Sequence, residues 1–185
     1  MMIGMNCFNK SLVSRGLVLR QILRGDNSPT IKMKKIRLDK ETYCQRNRPC
    51  AITICSKNRI TIFNNKDFVH EIMAIIRKEA DLHRIQVFAF CIMPDHLHLL
   101  ISTTSDCSLV DWIALIKGKI TRQSWNYGFK DTIFQKSFYD HFLRKEDDLF
   151  KQVRYILENP LRKGLSEVYS KFPYIGSFVF DLSDY

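Results

Sequence analysis

No apolar run in this sequence approaches the roughly 18–20 residues that a helix needs to cross a bilayer, so no membrane-spanning role is expected. The apolar stretch at residues 11–23 is interrupted by Arg15 and Arg20, which spoils it as the core of a signal peptide. An Arg-rich, acid-poor leader is also the composition of organelle transit peptides, and Met1, Met2, Met5 and Met33 offer alternative starts. Residues 1–37 are therefore expected to form a basic, loosely ordered extension ahead of a single domain, residues 38–185. Cysteine pairs of the Cys-x-x-Cys type are absent too. Cys7, Cys44, Cys50, Cys55, Cys91 and Cys107 show no ligand-like spacing, which argues against a zinc or disulfide framework. Cys50 and Cys55 lie an odd number of positions apart on a predicted strand and so point to opposite faces. Buried, reduced thiols in a cytoplasmic protein are expected. There is no internal repeat and no low-complexity tract. Carboxylates are also scarce: 19 Asp and Glu face 29 Lys and Arg, a formal charge of +10 with a pI near 9.4. In one small domain that imbalance points to a polyanionic partner, although solubility alone can favour such a surface.

From Pro49 onward the periodicity is readable. Residues 50–56 (CAITICS) have the β-branched density of a strand. Phe68, Ile72, Ile75 and Ile76 keep helical spacing, which predicts an amphipathic helix over 66–82. Strands are expected at 85–92 and 96–102, separated by Met93-Pro94-Asp95, because proline cannot donate to a ladder. Ser108 and Asp111 read as a capping box for a helix that buries Leu109, Ile113, Ile116 and Ile120. A fourth strand is expected within 133–143, with Phe134, Phe138, Tyr139 and Phe142 as an aromatic cluster. A last helix is expected over 146–158, with Asp147 and Asp148 at its positive end and Pro160 closing it. The order β-α-β-β-α-β-α predicts an α+β fold, an antiparallel sheet with helices packed on it.

His96-Leu97-His98 is the sharpest chemical feature. On a strand, residues two apart share a face, so both imidazoles project together while Leu97 enters the opposite layer. Two such imidazoles make half of a metal site. Two polar residues on a solvated sheet face would leave the same pattern, but apolar residues on both sides imply a core strand whose histidines need partners. In the last helix Leu149, Phe150, Val153, Ile156 and Leu157 form one stripe, and Tyr155 falls opposite it with Asn159 one turn on. A surface tyrosine beside a surface amide would look alike.

These segments resemble a known family. The run Phe90-Cys-Ile-Met-Pro-Asp-His-Leu-His-Leu-Leu-Ile101 resembles the His-hydrophobic-His motif of the HUH single-strand DNA transposases. Thr53-Ile-Cys-Ser-Lys-Asn-Arg59, Phe134-Gln135, Phe138-Tyr-Asp-His141 and Tyr155-Ile-Leu-Glu-Asn-Pro160 are similar to the branch called REP-associated tyrosine transposases. The resemblance spans about residues 52–174 in the expected order; tryptophan is frequent in the family where Phe134 stands. It implies a ferredoxin-like sheet with both histidines on a central strand. It also implies His96, His98 and Asn159 as ligands of one divalent cation, Mg²⁺ or Mn²⁺, and Tyr155 as the nucleophile.

The implied reaction is nicking and strand transfer of hairpin-bearing single-stranded DNA through a 5′-phosphotyrosine link that leaves a 3′-hydroxyl. A phenol attacks well only when ionised, so the bound cation and Lys151, on the preceding turn, are its expected aids. Lys117, Lys119, Arg122, Arg162 and Lys163, with Lys151, are the candidate DNA contacts, each of which would equally suit a solvated face. His141 is a further site candidate or a structural histidine; Tyr139 is the rival nucleophile, with core packing the simpler reading. Two other functions fit the same residues: a hydrolytic metal-dependent nuclease, and a non-catalytic DNA-hairpin-binding protein. The working unit is expected to be a monomer or homodimer.

Overall fold

The β-branched run that opens β1 and the two long apolar runs of β2 and β3 cannot bury themselves singly, and they pair into one antiparallel sheet. In the computed structural model, which describes residues 40–104, 107–144 and 148–182, the elements are α1 (Lys40–Tyr43), β1 (Cys50–Cys55), α2 (Lys66–His83), β2 (Ile85–Met93), β3 (His96–Thr103), α3 (Leu109–Ser124), β4 (Tyr139–Phe142), α4 (Leu149–Leu157), α5 (Asn159–Arg162) and β5 (Ile175–Gly176). The expected extension, Cys7 and residues 146–147 of the expected last helix, Asp147 among them, lie outside the described residues. The sheet order is β4-β1-β3-β2-β5, every pair antiparallel, so the fold is α+β and β3 is its central strand.

Alternation along β3 sorts the layers. Leu97, Leu99 and Ile101 join Ile52, Ile54, Val87 and Ile92 in the core beneath α2 and α3. On the other face Leu100, Cys91 and Met93 pack with Val153, Ile156 and Leu157 of α4. A bulge between Val87 and Ala89 puts Phe88 and Ala89 together on the α4 side. α2 starts where the Asn65 side chain accepts from the Phe68 N–H at 3.0 Å, and it ends at Arg84 in the left-handed region (φ 54°). The Trp112 indole N–H donates to the Glu79 carbonyl at 3.1 Å and ties α3 to α2.

Several expectations need correction. Ser108 precedes α3 with no side-chain capping bond, so the predicted capping box is not made. The strand expected over 133–143 shrinks to Tyr139–Phe142, with Phe134 meeting Ser56 only as an isolated bridge. Phe134, Phe138 and Phe142 are buried, but Tyr139 is exposed on the edge strand. As expected the long helix stops ahead of Pro160, at Leu157, but the proline then opens a separate short helix, α5, where its missing N–H costs nothing. Phe150, assigned to the buried stripe of α4, is 52% exposed and lies 5.6 Å from the Phe180 ring. No helix among the described residues is long and apolar enough to cross a membrane.

Candidate active site

The two-residue turn Pro94-Asp95 joins β2 to β3, with Met93 opposite His96. Both turn carbonyls are held from outside the hairpin: Phe63 N–H donates to Pro94 O at 3.0 Å and Ser56 N–H to Asp95 O at 2.9 Å. His96 and His98 then emerge on the α4 face, where the cover supplied by that helix ends. Their rings stand edge to face, 4.6 Å between centroids, with Nε2 atoms 2.9 Å apart. Each outer nitrogen is fixed. His96 Nδ1 bonds Asp95 Oδ1 at 2.5 Å, and His98 Nδ1 bonds the hydroxyl of Thr53, its directly paired residue on β1, at 3.0 Å. Asp95 Oδ2 in turn accepts from Arg59 at 3.0 Å. Arg59 and its neighbour Asn58 both adopt left-handed backbone (φ 58° and 56°), a costly conformation for two consecutive side-chain-bearing residues.

Electrostatics keep this pair neutral. Burial lowers the His98 pKa to about 4, helped by charge on His96 and Arg59. Burial also lowers that of His96, against the opposing pull of Asp95. Burial works against ionisation of Asp95, but its bond to His96 and the Arg59 guanidinium outweigh that and hold the carboxyl below its usual value. At neutral pH the imidazoles are therefore in the form that ligates a cation.

α4 brings the rest. Asp148 caps it, its Oδ1 accepting from Phe150 N–H at 2.9 Å and Lys151 N–H at 3.3 Å. With Val153, Ile156 and Leu157 buried against the sheet, Tyr155 is left 45% exposed. Asn159 is only 7% exposed; its Nδ2 donates to the Tyr155 and Ile156 carbonyls at 2.9 and 3.3 Å, which leaves Oδ1 as the group it can offer elsewhere. Tyr155, Asn159, His96, His98, Asp95 and Thr53 line one cleft of about 510 Å³, together with Arg59 and Lys163.

The basic candidates separate. Lys163 lines the cleft, and the Arg162 guanidinium lies 4.7 Å from the Tyr155 ring centroid. Lys151 does not line it; its ammonium is 4.0 Å from Asp148, on the turn that caps the helix. Lys119 is bonded to the buried Glu79 at 2.6 Å, and it, Lys117 and Arg122 belong to α3 on the other side of the sheet. His141 and Tyr139, on β4, do not line the cleft. Sequence reasoning missed Asp95, Thr53 and Arg59 as site residues. Asp95 had a signal, its position beside His96; Thr53 and Arg59 become neighbours of the histidines only through strand pairing and the clamped hairpin turn.

The sequence model of the family described as IS200-like transposases matches residues 45–158, more than half of the chain. The chain belongs to this family. A relative from Haemophilus influenzae (strain ATCC 51907 / DSM 11121 / KW20 / Rd), provisionally named a REP-associated tyrosine transposase, is 29% identical over 119 residues, covering 58% of this chain and 68% of the relative. A solved REP-associated tyrosine transposase bound to a REP hairpin superposes with a TM-score of 0.63 at 21% identity, over 77% of this chain and 82% of that one; it shows the same fold. The family match holds both histidines and Tyr155, and it ends one residue before Asn159. Among the described residues no group of three His, Cys, Asp or Glu side chains is placed to hold a metal.

Proposed function

We propose that the protein nicks and rejoins hairpin-bearing single-stranded DNA, with Tyr155 as nucleophile and His96, His98 and Asn159 as ligands of one divalent cation, Mg²⁺ or Mn²⁺. The observation that carries this reading is the single cleft lined by Tyr155, Asn159 and both histidines. The donor set fits such an ion. Two nitrogens at adjacent corners of an octahedral shell about 2.1 Å from a cation are about 3 Å apart, and the two Nε2 atoms are 2.9 Å apart with their outer nitrogens already engaged. Two imidazoles and an amide oxygen suit Mn²⁺ somewhat better than Mg²⁺. When bound, the cation supplies charge that offsets the phosphodiester and orients its oxygens.

Tyr155 Oη attacks phosphorus, forming the Tyr–O–P bond as the P–O3′ bond breaks. The phenolic proton passes to solvent and the departing O3′ takes one up as a free hydroxyl. Arg162 beside the ring and Lys163 in the cleft are placed to meet the anionic phosphate. The 5′-phosphotyrosine link retains the energy of the broken ester, so a 3′-hydroxyl of another strand can displace Tyr155 and reseal. A basic chain of this family, with a fold relative bound to a REP hairpin, makes hairpin DNA the substrate of choice.

The test is a denaturing gel of protein incubated with labelled hairpin DNA and Mn²⁺. Wild type should shift into a covalent adduct, and Tyr155→Phe and His96→Ala/His98→Ala should not. Cleavage with no adduct would replace this reading with a hydrolytic nuclease; binding with neither would leave a DNA-recognition protein.

A further inference from the structure

A second concave surface lies outside the cleft. A groove of about 520 Å³ is lined by Lys117, Arg122, Trp125, Phe134, Gln135 and Lys136 among others, three cations and no carboxylate. Trp125 opens the short turn that follows α3, a turn closed by Gly128 at φ 88°. It is 54% exposed, whereas Trp112, near the start of α3, is fully buried with its N–H bonded. A broad indole face left in water beside cations is unfavourable for folding, and it is what a stacking base needs. The groove's far wall is fixed: Lys117 Nζ donates to the carbonyls of Gln135 and Lys136 at 2.6 and 3.2 Å. Arg122 and Lys136 are then the cations best suited to meet phosphates.

A third hollow adjoins the groove and shares a chain segment with the cleft. Thr132 lines both the groove and this hollow, which contains Lys57, Asn58 and Ile60. Arg59 and Thr61, from the same short segment, line the histidine cleft. That segment is thus a low partition with a cavity on each side. The groove wall is pinned to the same strand end, Lys57 N–H donating to Ile133 O at 2.7 Å and Gln135 N–H to Cys55 O at 2.9 Å, where Cys55 pairs with His96.

We propose that the Trp125 groove is a second single-stranded DNA site. Unpaired nucleotides beside the hairpin pass from the cleft over residues 57–61, one base stacks on the Trp125 indole, and neighbouring phosphates meet Arg122 and Lys136. This rests on the single-strand DNA reading of the cleft but not on its chemistry.

The test uses the full chain carrying Tyr155→Phe, so that no adduct forms, and two fluorescein-labelled DNAs: a blunt hairpin, and the same hairpin with an unpaired tail of about ten nucleotides. Anisotropy should show that Trp125→Ala weakens binding of the tailed DNA about tenfold, leaves the blunt hairpin unchanged, and is largely rescued by Trp125→Phe. Tryptophan fluorescence should be quenched by the tailed DNA only, and not in Trp125→Phe. Unchanged affinity of Trp125→Ala for the tailed DNA would overturn the proposal, as would an equal loss on both DNAs, which would put the indole under the stem. A tail-dependent Trp125 effect in a protein whose wild type forms no adduct would sink the catalytic reading and leave this site standing. No binding of either DNA by any form would end both.

Discussion

Proton bookkeeping between Thr53, His98, His96 and Asp95 has one arrangement that satisfies every partner in the absence of a cation. Asp95 accepts from His96 Nδ1–H, so His96 Nε2 is an acceptor; His98 Nε2–H fills it, and His98 Nδ1 accepts from the Thr53 hydroxyl. Were His96 and His98 to hold the proposed cation through Nε2, His98 would carry its proton on Nδ1 and donate it to Thr53. A hydroxyl can both donate and accept, which suits it to both states; valine can do neither. Thr53→Val is expected to weaken Mn²⁺ binding about 10–100-fold in a calorimetric titration while leaving the melting temperature within a few degrees. Unaltered affinity would show that His98 needs no fixed outer partner. The pair His96 and His98 was legible because a period of two on an apolar strand has one physical meaning. Thr53 was not, since only the β1–β3 register makes it a neighbour.

For the elements, legibility followed burial on two sides. β1, β2 and β3 are covered on both faces and read as near-continuous apolar runs. The segment 133–143 is as rich in aromatics, yet Phe134 and Phe138 reach the core from irregular backbone, so composition overstated the strand. β5 has two residues and no period to detect. Phe150 lies off the side of α4 that packs on the sheet, and the neighbouring Phe180 ring leaves it half exposed. α4 carries Tyr155 away from its buried residues Val153, Ile156 and Leu157, and its start depends on one carboxylate. Asp148→Ala should cost about 1 kcal/mol, a fall of about 3 °C in melting temperature, and should slow adduct formation without abolishing it. A melting temperature equal to wild type would mean that packing alone sets the helix start.

Across the whole molecule, two thiols report on the integrity of both layers. Burial, with Asp140 adding to it, pushes Cys50 up to about 12, and burial does the same to Cys91. In the unfolded chain each ionises near pH 9.0. These raised values contribute stability that is fully present below that pH and is lost as pH climbs toward about 12. The loss is about 1.4 kcal/mol per pH unit for each thiol. Thermal melts between about pH 8 and pH 11 should show a steep alkaline decline that Cys91→Ala makes shallower; an identical slope would mean Cys91 titrates alike in both states.

The bond from Asn159 Nδ2 to the Tyr155 carbonyl has a mechanical consequence. Tyr155, the proposed nucleophile, and the amide proposed to face the cation are geared: α4 cannot slide or turn without dragging Asn159 along. Half of the cleft therefore travels as one cassette, and the strand pair bearing the histidines forms the other. Anyone transplanting this chemistry to another scaffold would have two parts to align rather than four.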